Sequence, residues 1–159
     1  MFLLKKDNTS FFHSIVIRRS LGVVLLLLLP LFSFAQRYNF TQYTIEDGLY
    51  SSEVVDMVQD HYRYIWIATP TEGVIKFDGV EFKQYREADG LVSNYIQCIY
   101  RDKGGNIWMG TKKGITMYNG YDFHNFTKNL KDPSKGLPDD EIQCIEEYNK
   151  SVYVGTKKG

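Results

Sequence analysis

The segment FTQYTIEDGL at residues 40–49 returns as FKQYREADGL at residues 82–91, with six of ten positions identical. The echo belongs to a longer period. Gly48 and Gly90 stand 42 residues apart, and so do Trp66 and Trp108. GVIKFDGVEFKQY (73–85) returns as GITMYNGYDFHNF (114–126) at an offset of 41. A third copy opens at Gly136. In it IQCI (96–99) recurs at 142–145 and GTKKG (110–114) at 155–159, with offsets of 46 and 45 because KNLKDPSKG lengthens the connector. A chain with this period folds into units that stack on copies of themselves, which excludes most single-core architectures.

Each unit holds four strand-like runs. In the second they are YIQCIYR, IWMG, ITMY and DFHNF, separated by the turn signals DKGGN, TKKG and NGY. The aromatic fraction of 15% suits strands. Asp78-Gly79 and Asn119-Gly120 are expected as the central pairs of two-residue hairpins. DDEIQCIEEY has helix-compatible spacing when read alone, but its partner in the first copy, EVVDMVQD, is β-branched, and copies share one conformation. Repeats of this length in solenoids are helical, so four strands per unit point to radial sheets. The expected fold is all-β, with β-propeller blades of four antiparallel strands. Blade 1 spans 48–88, blade 2 spans 89–131, and a partial blade 3 spans 132–159 with two of its four strands. Residues 36–47 are expected as an orphan outer strand, because FTQY at 40–43 matches the fourth strands and suits ring closure. A ring needs at least four blades, so about two and a half blades form an incomplete propeller. Downstream blades of the same propeller are its expected packing partners.

Residues 1–35 stand apart. Lys5, Lys6, Arg18 and Arg19 precede the apolar run LGVVLLLLLPLFSFA, and Ser33 and Ala35 supply small residues before a cut between Ala35 and Gln36. This is the order of a secretory signal peptide. The apolar run is 15 residues long and broken by Pro30, short of the ~20 a spanning helix needs. The mature chain is expected to be exported to the periplasm. It has 15 basic against 18 acidic residues, a net of −3, and no basic stripe for nucleic acid.

Trp66, Trp108 and Tyr153 occupy one position in successive copies. An aromatic platform for sugars is one reading. Packing between neighbouring sheets accounts better for a fixed position in every repeat. Gly48, Gly90 and Gly136 mark equivalent turns. His13, His61 and His124 are scattered, with no metal-ligand spacing. Asp47, Asp89, Asp60 and Asp102 sit where a carboxylate bonds its own turn backbone, so they are not assigned as catalytic acids or calcium ligands. Ser51, Ser52 and Ser93 have no base fixed beside them in sequence. Cys98 and Cys144 are equivalent, while the first copy has Asp56 there; free thiols are expected. No catalytic residue, metal or cofactor is expected, and no ligand-binding residue is assigned.

The pattern DGL…D-x-x-G-x-x-W-x-G-T…G-x-x-x-Y-[DN]-G-x-x-F resembles the two-component regulator propeller repeat. Departures are DHYRYIW, which lacks the turn glycines, Ala68 in place of the glycine seen at Gly110, and a third copy without the Asp turn. The resemblance implies the sensor propeller of a histidine kinase or hybrid two-component receptor of gram-negative bacteria. It also implies a full-length protein that is membrane-anchored and dimeric across the inner membrane, and a small-molecule ligand, oligosaccharides in some members. Two alternatives remain: an enzyme on a propeller scaffold, lyase- or glycosidase-like, and a secreted protein-interaction scaffold. The first needs a non-repeated acidic or basic cluster, and none stands out. A membrane helix and kinase encoded downstream of residue 159 would separate a sensor from the second.

Overall fold

The computed structural model describes residues 39–129, 132 and 136–158. The expected leader, with its cut at Ala35 and Gln36, lies outside them. The chain divides into two compact units, Met1–Thr41 and Gln42–Gly159. In the first, the described residues 39–41 form no regular element. The second holds every strand assigned among the described residues.

Among the described residues, ten strands form three antiparallel sheets. Blade 1 holds β1 (Asp56–Gln59), β2 (Ile65–Ala68), β3 (Val74–Phe77) and β4 (Phe82–Tyr85), in spatial order β1-β2-β3-β4. Blade 2 holds β5 (Ile96–Arg101), β6 (Ile107–Thr111), β7 (Gly114–Tyr118) and β8 (Phe123–Phe126), in the same order. The third sheet is a pair, β9 (Ile142–Tyr148) and β10 (Ser151–Thr156). The strand assignment of DDEIQCIEEY is therefore correct. β4 and β8 are outer strands, as expected for 81–85 and 122–126, and β1, β5 and β9 neighbour one another at the inner edge.

Equivalent bonds stitch the blades. Gly73 N–H donates to the Asn94 carbonyl, and Gly114 N–H donates to Asp140 one repeat later. Within a copy, Lys112 N–H donates to Tyr95, and Lys157 N–H to Glu141. Within each blade a threonine closes the turn between the second and third strands. Thr69 Oγ1 donates to Gly73 O at 2.7 Å and Thr111 Oγ1 to Gly114 O at 2.8 Å, both hydroxyls buried. This explains the repeated T…G spacing: the hydroxyl adds a second bond to the carbonyl that closes the turn, as at Gly73, which also accepts the Thr69 N–H. Val74, Ile75, Ile99, Ile107, Met109, Ile115 and Ile142 fill the spaces within and between sheets.

The repeated FxQY also finds its reason. Its last aromatic stacks on the tryptophan of its own blade: Tyr85 on Trp66 at 5.6 Å between centroids, Phe126 on Trp108 at 5.9 Å. Its first aromatic meets the tyrosine of the preceding copy edge-on, Phe123 against Tyr85 at 5.4 Å and Phe82 against Tyr43 at 5.5 Å. Tyr43 thus packs on blade 1 as Tyr85 packs on blade 2. FTQY, expected as an outer strand where it closes a ring and as loose or opportunistically paired in this chain, forms no regular element here. Residues 39–44 are irregular, and Ile45–Asp47 is a 3-10 turn.

Two turn expectations need correction. In both β3–β4 and β7–β8 the loop is shifted one residue from the expected pair. The glycine is the first central residue, Gly79 at φ 101° and Gly120 at φ 100°, with Asp78 and Asn119 flanking it. The flanking side chain caps the turn: Asp78 Oδ1 accepts from Val80 and Glu81 N–H, and Asn119 Oδ1 from Tyr121 and Asp122 N–H. A side-chain acceptor serving two amides favours this register over one with both Asn and Gly left-handed. The pair with both central residues left-handed is Asn149 (φ 50°) and Lys150 (φ 65°), which joins β9 to β10. It replaces the Asp turn that the third copy lacks.

Candidate ligand-binding surface between the blades

Asp60 and Asp102 are the polar centres of each blade. Each is nearly buried and anchors its own turn together with its tryptophan. Asp60 Oδ1 accepts from Tyr62 and Tyr64 N–H at 2.9 Å each, and Oδ2 accepts from Trp66 Nε1 at 2.9 Å. Asp102 Oδ1 accepts from Asn106 N–H, and Oδ2 from Asn106 Nδ2 and Trp108 Nε1, each at 2.8 Å. Burial pushes the Asp102 carboxyl up, but the bonds from Trp108 and Asn106 outweigh it and hold the group below its ordinary value. The turn role expected for these acids is what the structure shows. The Asp–Trp bond, six residues along the chain, is an addition that the sequence pattern does not reveal.

The repeat glycines divide. Gly48 (φ 93°) and Gly90 (φ 113°) end 3-10 turns whose backbone is held by Asp47 and Asp89, the carboxylates accepting from Thr44 and Arg86 N–H. Gly136 has no such turn among the described residues before it; it lies against the backbone of Asn129.

The tryptophans differ in what covers them. Trp66 is fully buried, with Tyr85 on one side and Tyr118 of blade 2 at 5.0 Å. Trp108 stacks on Phe126 but otherwise faces a cavity of about 720 Å³, lined also by Ile115, Leu137, Val152 and Val154. At the equivalent place one repeat earlier, Tyr118 and Phe123 fill the space. Tyr153 keeps the tryptophan register, opposite Glu146 as Trp108 is opposite Tyr100, yet it is 56% exposed. Trp66 and Trp108 are thus packing residues, and the exposed aromatic surface belongs to the third copy. A second cavity, of about 280 Å³, opens at the turns joining the first two strands of blades 1 and 2 and includes His61 and Lys76.

His61 lies in the β1–β2 turn and His124 in β8, far from forming a shared site; His13 is outside the described residues. Among the described residues, no three His, Cys, Asp or Glu side chains are grouped to hold a metal ion. Both cysteines are free thiols. Burial against Ile142 and Ile145 pushes the Cys98 thiol up to about 11, whereas Cys144 is exposed.

Residues 90–113, from the Gly90 turn through Trp108 to the β6–β7 turn, match the two component regulator propeller family. The match covers one copy of the repeat, and that copy is similar to the two component regulator propeller. Histidine kinase P4 of Formosa agariphila is 38% identical over 73 residues, which is 43% of this chain and 5% of that protein. Two solved structures of the extracellular domain of BT4673 from B. thetaiotaomicron, described in one as a hybrid two component system and in the other as a one component system, share the fold. Their TM-scores are 0.53 and 0.56 at 20% and 23% identity. They cover 68% and 76% of this chain, and the chain covers 15% and 18% of theirs. This chain therefore spans a small fraction of the length of each relative. Its sheets share the fold of those extracellular domains, and among the described residues no helix is long and apolar enough to cross a membrane.

Proposed function

We propose that this chain is the first part of the periplasmic sensor propeller of a two-component receptor, a signal-input module without catalysis of its own. The observation behind this reading is the repeat: blades joined by equivalent inter-blade bonds, with residues 90–113 of one matching the two component regulator propeller family. Relatives that are a histidine kinase and an extracellular receptor domain support it. The leader of residues 1–35 supports export, and the cavity beside Trp108 supports continuation into further strands, which would supply aromatics equivalent to Tyr118 and Phe123. The full-length protein would be anchored in the inner membrane, dimeric, and respond to a small molecule such as an oligosaccharide. Deleting residues 40–159 from the receptor should abolish ligand-dependent autophosphorylation while leaving basal kinase activity. An unchanged ligand response would contradict the reading.

A further inference from the structure

Blade 1 and blade 2 share a framework but differ sharply around one cavity. Where blade 2 has Lys103, Gly104, Gly105, Asn106 and Met117, blade 1 has His61, Tyr62, Arg63, Tyr64 and Lys76. The Asp–Trp bond itself persists through these changes, although Tyr64 cannot supply the side-chain amide bond that Asn106 gives Asp102. Four of the five replacements, all but Arg63, line the 280 Å³ cavity between the blades, which Gly105 and Tyr118 of blade 2 close from the other side. Arg63 keeps the left-handed conformation of the glycine it replaces, at φ 72° against 92° for Gly105. A non-glycine residue held there is strained, and strain kept in a turn that could have used glycine points to a task other than folding.

The cavity has a defined chemistry. Lys76 Nζ sits 3.8 Å over the Tyr64 ring and 5.3 Å from that of Trp66, with no ion pair among the described residues. The one carboxylate in the wall, Asp60, is already engaged by three N–H donors. The rings of His61 and Tyr62 lie together at 3.8 Å between centroids, tilted by 42°, and give the cavity an aromatic wall. The next interface shows what such a turn accepts. There the Glu147 carboxylate, its side chain 4% exposed, takes the Lys103 N–H at 2.7 Å and lies 3.9 Å from the Lys103 ammonium. His61 is the counterpart of Lys103, and its N–H meets no protein acceptor among the described residues.

We propose that this cavity binds a small carboxylate with an apolar aromatic body, the carboxylate meeting the Lys76 ammonium and the His61 N–H and the body packing among the tilted rings of His61, Tyr62 and Tyr64. A charge-assisted bond to an ammonium in a partly desolvated, aromatic-walled site gives both orientation and selectivity for an anion. The site does not depend on a signalling role for the chain and stands or falls separately from it.

Saturation-transfer NMR on the purified chain tests this with benzoate and its neutral isostere benzamide, since the method reads weak binding at any oligomeric size. Benzoate should saturate and benzamide should not. Lys76→Met, which installs the residue blade 2 uses, should weaken benzoate at least tenfold; Lys76→Arg should retain it, and Lys83→Met should leave it unchanged. Circular dichroism identical to wild type keeps the Met variant interpretable, and the Arg variant serves if it is not. The proposal is overturned by no saturation with benzoate, by benzamide binding equally well, or by Lys76→Met binding within twofold of wild type.

Discussion

Asp102 shows how one side chain fixes a turn, a tryptophan and a pH response. Asp102→Ala would leave the Trp108 indole N–H and the Asn106 amide without their acceptor, at a cost of about 1–3 kcal/mol in urea unfolding at pH 7. Its folded pKa lies below the unfolded value of about 4. The stability it contributes is therefore fully present above pH 4 and is lost as pH falls through the lower folded value. Asp102→Asn should flatten that part of the acid profile; an unaltered profile would remove Asp102 from the account. Arg63→Gly should raise the urea midpoint by the equivalent of about 1 kcal/mol, because glycine adopts φ 72° without strain. A thiol assay at pH 7 should modify Cys144 quickly and Cys98 slowly, since the latter's thiol is pushed up to about 11 by burial; equal rates would contradict the packing between β5 and β9. At this scale the sequence is partly legible. An Asp before a turn has a local reason that reads directly. The bond from Asp60 to Trp66 does not, because it depends on how the indole folds back over the hairpin, and no residue spacing encodes that angle.

The four-stranded blade is legible because copies constrain one another. Alone, the run at 139–148 suits a helix or a strand equally, and only its alignment with β1 and β5 decides for β9. Turn registers are less legible. Gly79 and Gly120 do lie in hairpins, but one position away from the place the dipeptide pattern predicts, because Asp78 and Asn119 serve as acceptors for two amides instead of adopting left-handed backbone themselves. Gly73, at φ 78°, shows where the repeat is least tolerant: a Cβ there would run into the Tyr85 carbonyl of β4. Gly73→Ala should cost more than the ~1 kcal/mol of a left-handed alanine alone, because β3 and β4 must separate to admit it. The same substitution at Gly79, where a Cβ meets nothing, should cost only the conformational part. Thermal melts of the two variants check the difference, and equal losses would mean that the β3–β4 pairing is not as tight as the structure shows.

Across the whole molecule, the logic is that each tryptophan is sealed by the aromatic third and fourth strands of the next blade. Tyr118 and Phe123 do this for Trp66, while Trp108 faces a cavity lined by apolar Ile115, Leu137 and Val154 and by polar Asn125, Lys128 and Asn129, and Tyr153 faces solvent. Such a face favours association, so the isolated chain should self-associate with a concentration-dependent melting temperature. The most direct test is the deuterium exchange of the two indole N–H groups, followed by NMR in this chain and in one extended by further repeats. Both are hydrogen-bonded to a carboxylate, so any difference between them reports coverage. The account expects Trp66 to exchange slowly in both chains, and Trp108 to exchange quickly in this chain and as slowly as Trp66 in the longer one. Equal exchange of the two indoles in this chain, or a Trp108 unchanged by extension, would contradict it.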